Sequence, residues 1–208
     1  MEETTYQNSV YLCGEMCSEA VYSHTIYGEG FYHFYLKVPR LSGKKDILPM
    51  TVSERLLDYY HVAQGDHFAV SGQLRSYNKK NPDHTNRLMV TVFVKDILKQ
   101  EPADAARNPN EVELDGFICK QPVYRTTPLG REITDVLLAV NRAFHKSDYI
   151  PCIVWGRNAK FAGTLCVGSR LRLSGRLQSR DYEKLLTSGE SVTRTAYEVS
   201  LNNLEQLR

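Results

Sequence analysis

The 208-residue chain has no apolar run approaching the ~20 residues a membrane-spanning helix needs. Its opening residues, Met1-Glu2-Glu3-Thr4-Thr5, are acidic and polar and lack the basic and apolar parts of a secretory signal. A soluble, cytoplasmic protein is expected. Cysteine is sparse, and five is an odd number, which fits a reducing compartment better than a disulfide framework. Cys13 and Cys17 stand four apart with no matching His/Cys pair at ligand spacing, so no zinc site is expected. Cys17, Cys119 and Cys152 read as small apolar fillers. The six histidines are scattered, and none falls in order with a nucleophile and an acid. Gly28-Glu29-Gly30 reads as a hairpin tip, since no helix follows it, and Gly43-Lys44-Lys45 lacks the upstream glycines of a phosphate loop. With no catalytic constellation and neither cofactor nor metal to expect, the chain does not read as an enzyme.

Strong charge bias is missing too: 26 Lys/Arg against 24 Asp/Glu leave a net +2. The balance is uneven along the chain. Residues 1–98 hold 10 basic and 11 acidic side chains, and residues 111–208 hold 14 and 11, a net +3. Whether that excess matters depends on the face that carries it.

What is present is a duplication. Asn8-Ser9-Val10-Tyr11-Leu12-Cys13-Gly14 returns as Asn110-Glu111-Val112-Glu113-Leu114-Asp115-Gly116, an offset of 102. The same offset carries Phe34, Leu36, Val38 and Arg40 onto Val136, Leu138, Val140 and Arg142. It drifts to 103 where Ser71-Gly72-Gln73-Leu74 meets Ser174-Gly175-Arg176-Leu177, and to 107 where Val92 and Val94 meet Val199 and Leu201. Drift in small steps is what loop insertions leave between fixed elements, and a period near 100 fits a small domain in tandem. The domains expected are 1–98 and 111–208, joined over 99–110 (KQEPADAARNPN), an exposed connector stiffened by Pro102 and Pro109.

Each copy reads as mostly strand. In the second, alternation marks Val112–Ile118, Val136–Val140, Tyr149–Trp155, Leu171–Leu177 and Tyr197–Leu201, with a short helix over roughly Arg157–Leu165. The corresponding stretch of the first copy, Val52–Val62, reads as a longer helix. Irregular polar loops are expected between the last two strands, over Asn78–Asn86 and Lys184–Thr193. Five strands with a helix between the third and fourth is the order of an OB-fold, so the fold class is all-β: two tandem OB-folds, five-stranded Greek-key barrels. Gly72 and Gly175 fit a tight barrel bend.

Period two then sorts the side chains. Strand four of the second copy turns Leu171, Leu173, Gly175 and Leu177 inward and Arg170, Arg172, Ser174, Arg176, Gln178, Arg180 and Tyr182 outward. In strand three the aliphatic set Ile150, Cys152 and Val154 is the natural inward face, which leaves Tyr149 and Trp155, the chain's one tryptophan, outside. A lone Trp on a strand is commonly core, and alternating arginines are commonly a solvated face. Together, on the surface an OB-fold uses for oligonucleotides, they form a platform of stacking rings and phosphate-binding forks.

Several motifs of the second copy carry a family resemblance: Leu138-Ala139-Val140-Asn141-Arg142, Tyr149, Trp155-Gly156-Arg157, Val167-Gly168-Ser169, Gly175-Arg176-Leu177-Gln178-Ser179-Arg180-Asp181-Tyr182 and Arg194-Thr195-Ala196-Tyr197-Glu198-Val199. In this combination they resemble the bacterial single-stranded DNA-binding protein family, over nearly the whole copy. The resemblance implies base stacking by Tyr149, Trp155 and Tyr182, with Phe144 as a weaker fourth, and phosphate contacts by Arg142, Arg157, Arg172, Arg176 and Arg180. It implies single-stranded DNA as partner, bound without strong sequence preference in replication, recombination or repair. Family members usually present four OB-folds, so two per chain imply a homodimer. Recruitment of replication enzymes through an acidic tail is not expected, because the sequence stops at Leu204-Glu205-Gln206-Leu207-Arg208 after the last strand.

The first copy departs from the pattern: Ile47 stands for Tyr149, Ser53 for Trp155, and strand four keeps only Arg75 and Tyr77 as candidate contacts. Tyr77 is expected to take the role of Tyr182. Tyr22, Tyr27, Tyr32 and Tyr35 form either a relocated stacking surface or an interface, and Lys44, Lys45, Lys79 and Lys80 are either loop contacts to a DNA backbone or, as loop lysines commonly are, simply solvated. This copy reads as degenerate, with weaker DNA contact and a larger part in assembly. The competing readings of the chain are a protein-interaction scaffold, a primosome-type replication-restart accessory with weak nucleic-acid binding, and an RNA binder.

Overall fold

The computed structural model of the chain describes residues 7–80, 86–99, 110–185 and 189–207. The first copy contains β1 (Asn8–Met16), β2 (Val21–Ile26), β3 (Glu29–Pro39), β4 (Lys45–Ser53), α1 (Glu54–Tyr60), β5 (His67–Lys80) and β6 (Asn86–Lys99). The second contains β7 (Asn110–Ile118), β8 (Val123–Thr126), β9 (Glu132–Arg142), β10 (Lys146–Trp155), α2 (Gly156–Gly163), β11 (Arg170–Leu185) and β12 (Ser191–Leu207). Of the connector expected at 99–110, only the end residues are described, closing β6 and opening β7; the rest lies outside the described residues.

Alternating apolar residues set the strands, and the duplication extends to burial: β1 and β7 bury the same positions in the same order. Each barrel closes on itself, the first through β1–β3 and parallel β4–β6 pairing, the second through β7–β9 and parallel β10–β12. The fold is therefore all-β, with two OB-type barrels. Gly72 and Gly175 sit at matching bulges, where an added Cβ would lie 2.3 Å from the carbonyl oxygen of Phe93 or Ser200. Only a residue without a side chain lets the strands approach that closely, so the expectation of a barrel bend holds.

Three features depart from the sequence reading. A short edge strand, β2 or β8, precedes the second long strand of each copy; Val123–Thr126 is exposed throughout and gives no alternation. The helix of the first copy is not the longer one, with seven residues against eight. Its bounding His61 takes φ 48°, a left-handed stop that apolar periodicity does not reveal. The segments expected as irregular loops are flanked by longer strands than expected: β5 pairs with β6 out to Lys80↔Asn86, and β11 with β12 out to Leu185↔Ser191, while 81–85 and 186–188 lie outside the described residues.

The two barrels join edge to edge. β1 runs antiparallel to β7 with Val10 opposite Val112, while Asn8 meets Leu114 and Leu12 meets Asn110. Exchanging every residue for its repeat leaves this register unchanged, which is a pseudo-twofold axis through the Val10–Val112 pair. Asn8 and Asn110, both buried, obey it in side-chain detail. Each amide donates to a carbonyl (Leu74 or Leu177) and accepts that residue's N–H, at 2.7–2.9 Å. Among the described residues no helix is long and apolar enough to cross a membrane.

Candidate nucleic-acid interface

A second pair of symmetric contacts locks the barrels together and shapes the surface beside them. Asp46 of β4, fully buried, accepts the Ser179 N–H of β11 at 2.7 Å and the Arg40 Nε at 2.6 Å. Asp148 of β10, its repeat equivalent and also fully buried, accepts the Ser76 N–H of β5 at 2.8 Å. Arg75 Nη1 approaches Asp148 to 3.1 Å and Arg142 Nη1 to 3.7 Å. Each copy therefore grips the other with a buried carboxylate, whose charge is satisfied by arginine and backbone donors together. Asp46 raises the pKa of Arg40 further and keeps it charged.

Beside the Asp46 clamp lies a groove of about 1130 Å³ built from both copies. The second copy lines it with Trp155, Arg131, Arg176, Arg180 and Tyr197; the first copy reaches in with Tyr35, Arg40, Lys44 and Lys45. Six cations meet one lining carboxylate, Asp181. Trp155, half-buried, is anchored by its Nε1–H, which donates to Ser200 Oγ at 3.0 Å. The Arg176 and Arg180 forks are set by a polar ladder on the floor. Arg176 donates to Gln178 Oε1 at 3.2 Å, and Gln178 donates to the buried Glu198 at 2.9 Å. Glu198 also takes Arg180 Nε at 3.3 Å. Burial and then the nearby Arg40 charge lower the pKa of Arg176, so this guanidinium is held where it lacks a full counter-charge. Burial, reinforced by Tyr35, pushes the Tyr197 hydroxyl up to about 12, so it is a neutral hydrogen-bonding group at any working pH.

The structure gathers only part of the sequence-derived set into this groove: Trp155, Arg176 and Arg180 line it. Tyr182 lies beneath Arg180, whose guanidinium carbon sits 5.8 Å from the ring centroid. Tyr149 is an exposed neighbour on β10, its N–H donating to Ser76 Oγ at 2.7 Å, and Arg157 is exposed on α2. Phe144 is 90 % exposed at the β9–β10 turn, with φ 61°. The arginine stripe of β11 divides at the Ser174/Gly175 bulge. On its far side Arg170 and Arg172 lean on the buried Asp115, at 2.9 and 3.9 Å.

Arg142, Arg75 and Tyr77 line a different groove, on the first copy, of about 730 Å³. The bulge registers also correct one equivalence. Counting from Gly72 and Gly175, Tyr77 occupies the place of Arg180, and Lys79 that of Tyr182. Missed from the sequence were the two aspartate clamps, Glu198 and the contribution of the first copy to the second copy's groove. A signal for the clamps was present, since Arg40/Arg142, Asp46/Asp148 and Ser76/Ser179 are polar residues kept identical across the repeat. Among the described residues no cluster of His, Cys, Asp and Glu is placed to hold a metal ion.

With this geometry, the comparisons with known proteins fall into place. The single-strand binding protein family matches over residues 109–207. Single-stranded DNA-binding protein 1 of Staphylococcus aureus (strain COL) is 43% identical over 81 residues, covering 36% of this chain and 48% of the relative. Single-stranded DNA-binding protein B of Bacillus subtilis (strain 168) is 38% identical over 81 residues, covering 36% of this chain and 72% of the relative. The chain thus spans about half the length of the first of these relatives and most of the second. The crystal structure of the wild-type single-stranded DNA binding protein from Thermus aquaticus superposes with a TM-score of 0.70 at 22% identity, covering 99% of this chain and 95% of that one. That likeness is one of fold, and it embraces both barrels. The chain belongs to the single-strand binding protein family.

Proposed function

We propose that this protein binds single-stranded DNA without strong sequence preference, in replication, recombination or repair, and that it does so without catalysis. The observation that carries the reading is the two-copy groove, where the only tryptophan stands among six cations, of which Arg40 and Arg180 lean on the buried Asp46 and Glu198. A half-exposed indole offers a face on which any base stacks, at about 1–3 kcal/mol per base. Arg176 and Arg180, with Lys44 and Lys45 from the other copy, meet the phosphates. Arg131 extends that cationic wall, while Tyr149, Tyr182, Phe144, Arg157 and Arg172 continue the path on either side. The reading places the protein in the cytoplasm, as a homodimer presenting four barrels; RNA is the alternative ligand, since base stacking and phosphate contacts do not depend on the 2′-hydroxyl.

Titration of Trp155 fluorescence with poly-thymidine at two salt concentrations tests the reading. Strong quenching that weakens with salt is expected, from stacking on the indole and counterion release at the phosphates. Unchanged fluorescence together with a blank gel shift would overturn it.

A further inference from the structure

At one place the two copies carry different charge chemistry on the same scaffold. In the second copy β8 and β9 set Arg125 diagonal to Asp135, and the two form an ion pair at 2.6 Å. In the first copy the strand pairing puts His24 at the place of Arg125, opposite Phe31, and His33 at that of Asp135, opposite Val21. β2 also holds one residue more: Ser23 forms the bulge between Tyr22 and His24 and has no cross-strand partner. The bulge re-aims the side chains around it, so that Ser23 meets both imidazoles. Its Oγ lies 2.9 Å from His24 Nδ1 and 2.7 Å from His33 Nε2, and the two ring centroids are 6.5 Å apart.

The hydrogen bonds of this chain have one direction. The Thr91 hydroxyl donates to the Pro49 carbonyl at 3.1 Å, so it accepts from Thr51 at 2.9 Å. A hydroxyl has a single hydrogen to give. Thr51 therefore accepts from His33 Nδ1 at 3.0 Å, and the same N–H faces the Met50 carbonyl at 3.3 Å. With Nδ1 protonated, neutral His33 keeps a lone pair at Nε2, and Ser23 donates to it. Ser23 then has nothing left to donate, so His24 gives it the Nδ1–H, and Nε2 of this exposed residue is the end that takes up a proton.

A proton added there has two resting places. It stays on His24, or each hydrogen moves on by one bond: the Nδ1–H of His24 passes to Ser23, and the Ser23 hydrogen passes to His33 Nε2. The charge then sits on His33, with every hydrogen bond kept and the Ser23 donors and acceptors reversed. A second proton has no such place, because two imidazolium N–H groups would aim at one Ser23 oxygen with like charges 6.5 Å apart.

We infer that Ser23, His24 and His33 form a proton relay, which takes up one shared proton as the pH falls through the histidine range and so charges the groove of the first copy. From β5 and β9 the pair is faced by Arg75, Tyr77, Lys79 and Arg142, which line the same groove. β4 and β6 face it with Thr51, Thr91 and Phe93. Among the described residues no carboxylate lines this opening; Asp148 is buried and engaged by Arg75 and Arg142, and Glu54 of α1 stands by Gly30 at the start of β3. Three cations repel the added proton, and a polyanion in the groove offsets that repulsion, so acid and strand reinforce each other. This last consequence rests on the function proposed above; the relay itself does not.

Nitrogen chemical shifts of the histidine rings in the full chain, followed from about pH 8 to about pH 5, test the relay. Expected are Nδ1–H tautomers of both rings at the alkaline end, then one step in which His24 and His33 move together. Ser23→Ala keeps both rings and should split this into two unlinked steps. A neutral His33 carrying its hydrogen on Nε2, or two unlinked steps already in the wild type, would overturn the inference. The groove charge is read from affinity for an oligothymidylate at about pH 6 and about pH 8. The wild type should bind roughly three- to tenfold tighter at the lower pH, as one charge about 6 Å from a phosphate provides in a water-like medium. Exchanging both rings in His24→Gln/His33→Gln should remove that gain. An equal gain in wild type and double variant would overturn the charging of the groove and leave the proposed function standing. If the wild type binds at neither pH, the proposed function falls, and the nitrogen shifts still decide the relay.

Discussion

The two copies share a barrel and differ in the groove it carries. Backbone-level features are duplicated faithfully: the bulge glycines, the Asn8 and Asn110 amide brackets, and the crossed aspartates. The exposed floors are not. Arg176 becomes Gln73, Glu198 becomes Thr91, and Trp155 and Ser200 become Ser53 and Phe93. Residues that let a β-barrel close have few substitutes, because a carbonyl 2.3 Å from a would-be Cβ leaves no choice. Residues that only line an opening are free to diverge once two openings exist. Duplication thus preserved the fold twice and let the linings of the two openings diverge.

The sharpest way to break this comparison is to attack the shared part. Asp148→Ala leaves two arginines and the Ser76 N–H without their buried acceptor, and Asp46→Ala does the same to Arg40 and Ser179. Removing one side of a buried ion pair costs about 3–5 kcal/mol. Guanidinium denaturation should show both variants losing stability at that scale and to a similar extent. A clamp that proves dispensable on one side only would mean the pseudo-symmetry does not extend to energetics.

Next in size come the bulges. Gly72→Ala and Gly175→Ala each push a methyl into a backbone carbonyl, and overpacking of this kind costs about 1–3 kcal/mol, occasionally more. Thermal melts should again place the two variants close together.

The duplication, the barrel class and the outward-facing arginines were all legible in the sequence, because each rests on local periodicity or on self-comparison. The grooves were not. Arg170 and Arg176 are equivalent by period two, yet one leans on Asp115 and the other faces an opening. That difference arises from a bulge and from partners 55 residues away or more, which no window of sequence contains. Lys44 and Lys45 read as loop residues of the first copy because nothing local says that they lie across the second. The first copy read as degenerate because it was compared at positions equivalent to Tyr149, Trp155 and the arginines, a comparison that does not include Phe93, which stands at the place of Ser200.

Between the grooves, the effects should separate by copy. Trp155→Ala removes the indole from the larger groove and should weaken oligothymidylate binding by about 1–3 kcal/mol, as read by anisotropy of a labelled oligonucleotide. Tyr77→Ala should cost less, since it removes one of the four rings lining its groove and no hydrogen-bonded tryptophan. Equal losses would mean that both grooves carry the strand alike and that their different linings are irrelevant.

The smallest effect tests whether the larger groove really belongs to both copies. Lys44 and Lys45 are exposed at the start of β4, so replacing both by Ala should leave the melting temperature unchanged. If each neutralises a phosphate, the slope of log affinity against log salt should flatten by about 0.7 per lysine on a single strand. The matching positions of the second copy, Lys146 and Ser147, supply one lysine only, and they lie beside a groove whose arginines are already engaged. Lys146→Ala should therefore leave the slope where it is. A flattened slope from the first pair and none from Lys146 would place the phosphate path on one side of the pseudo-twofold axis, although the polypeptide itself is nearly symmetric about it.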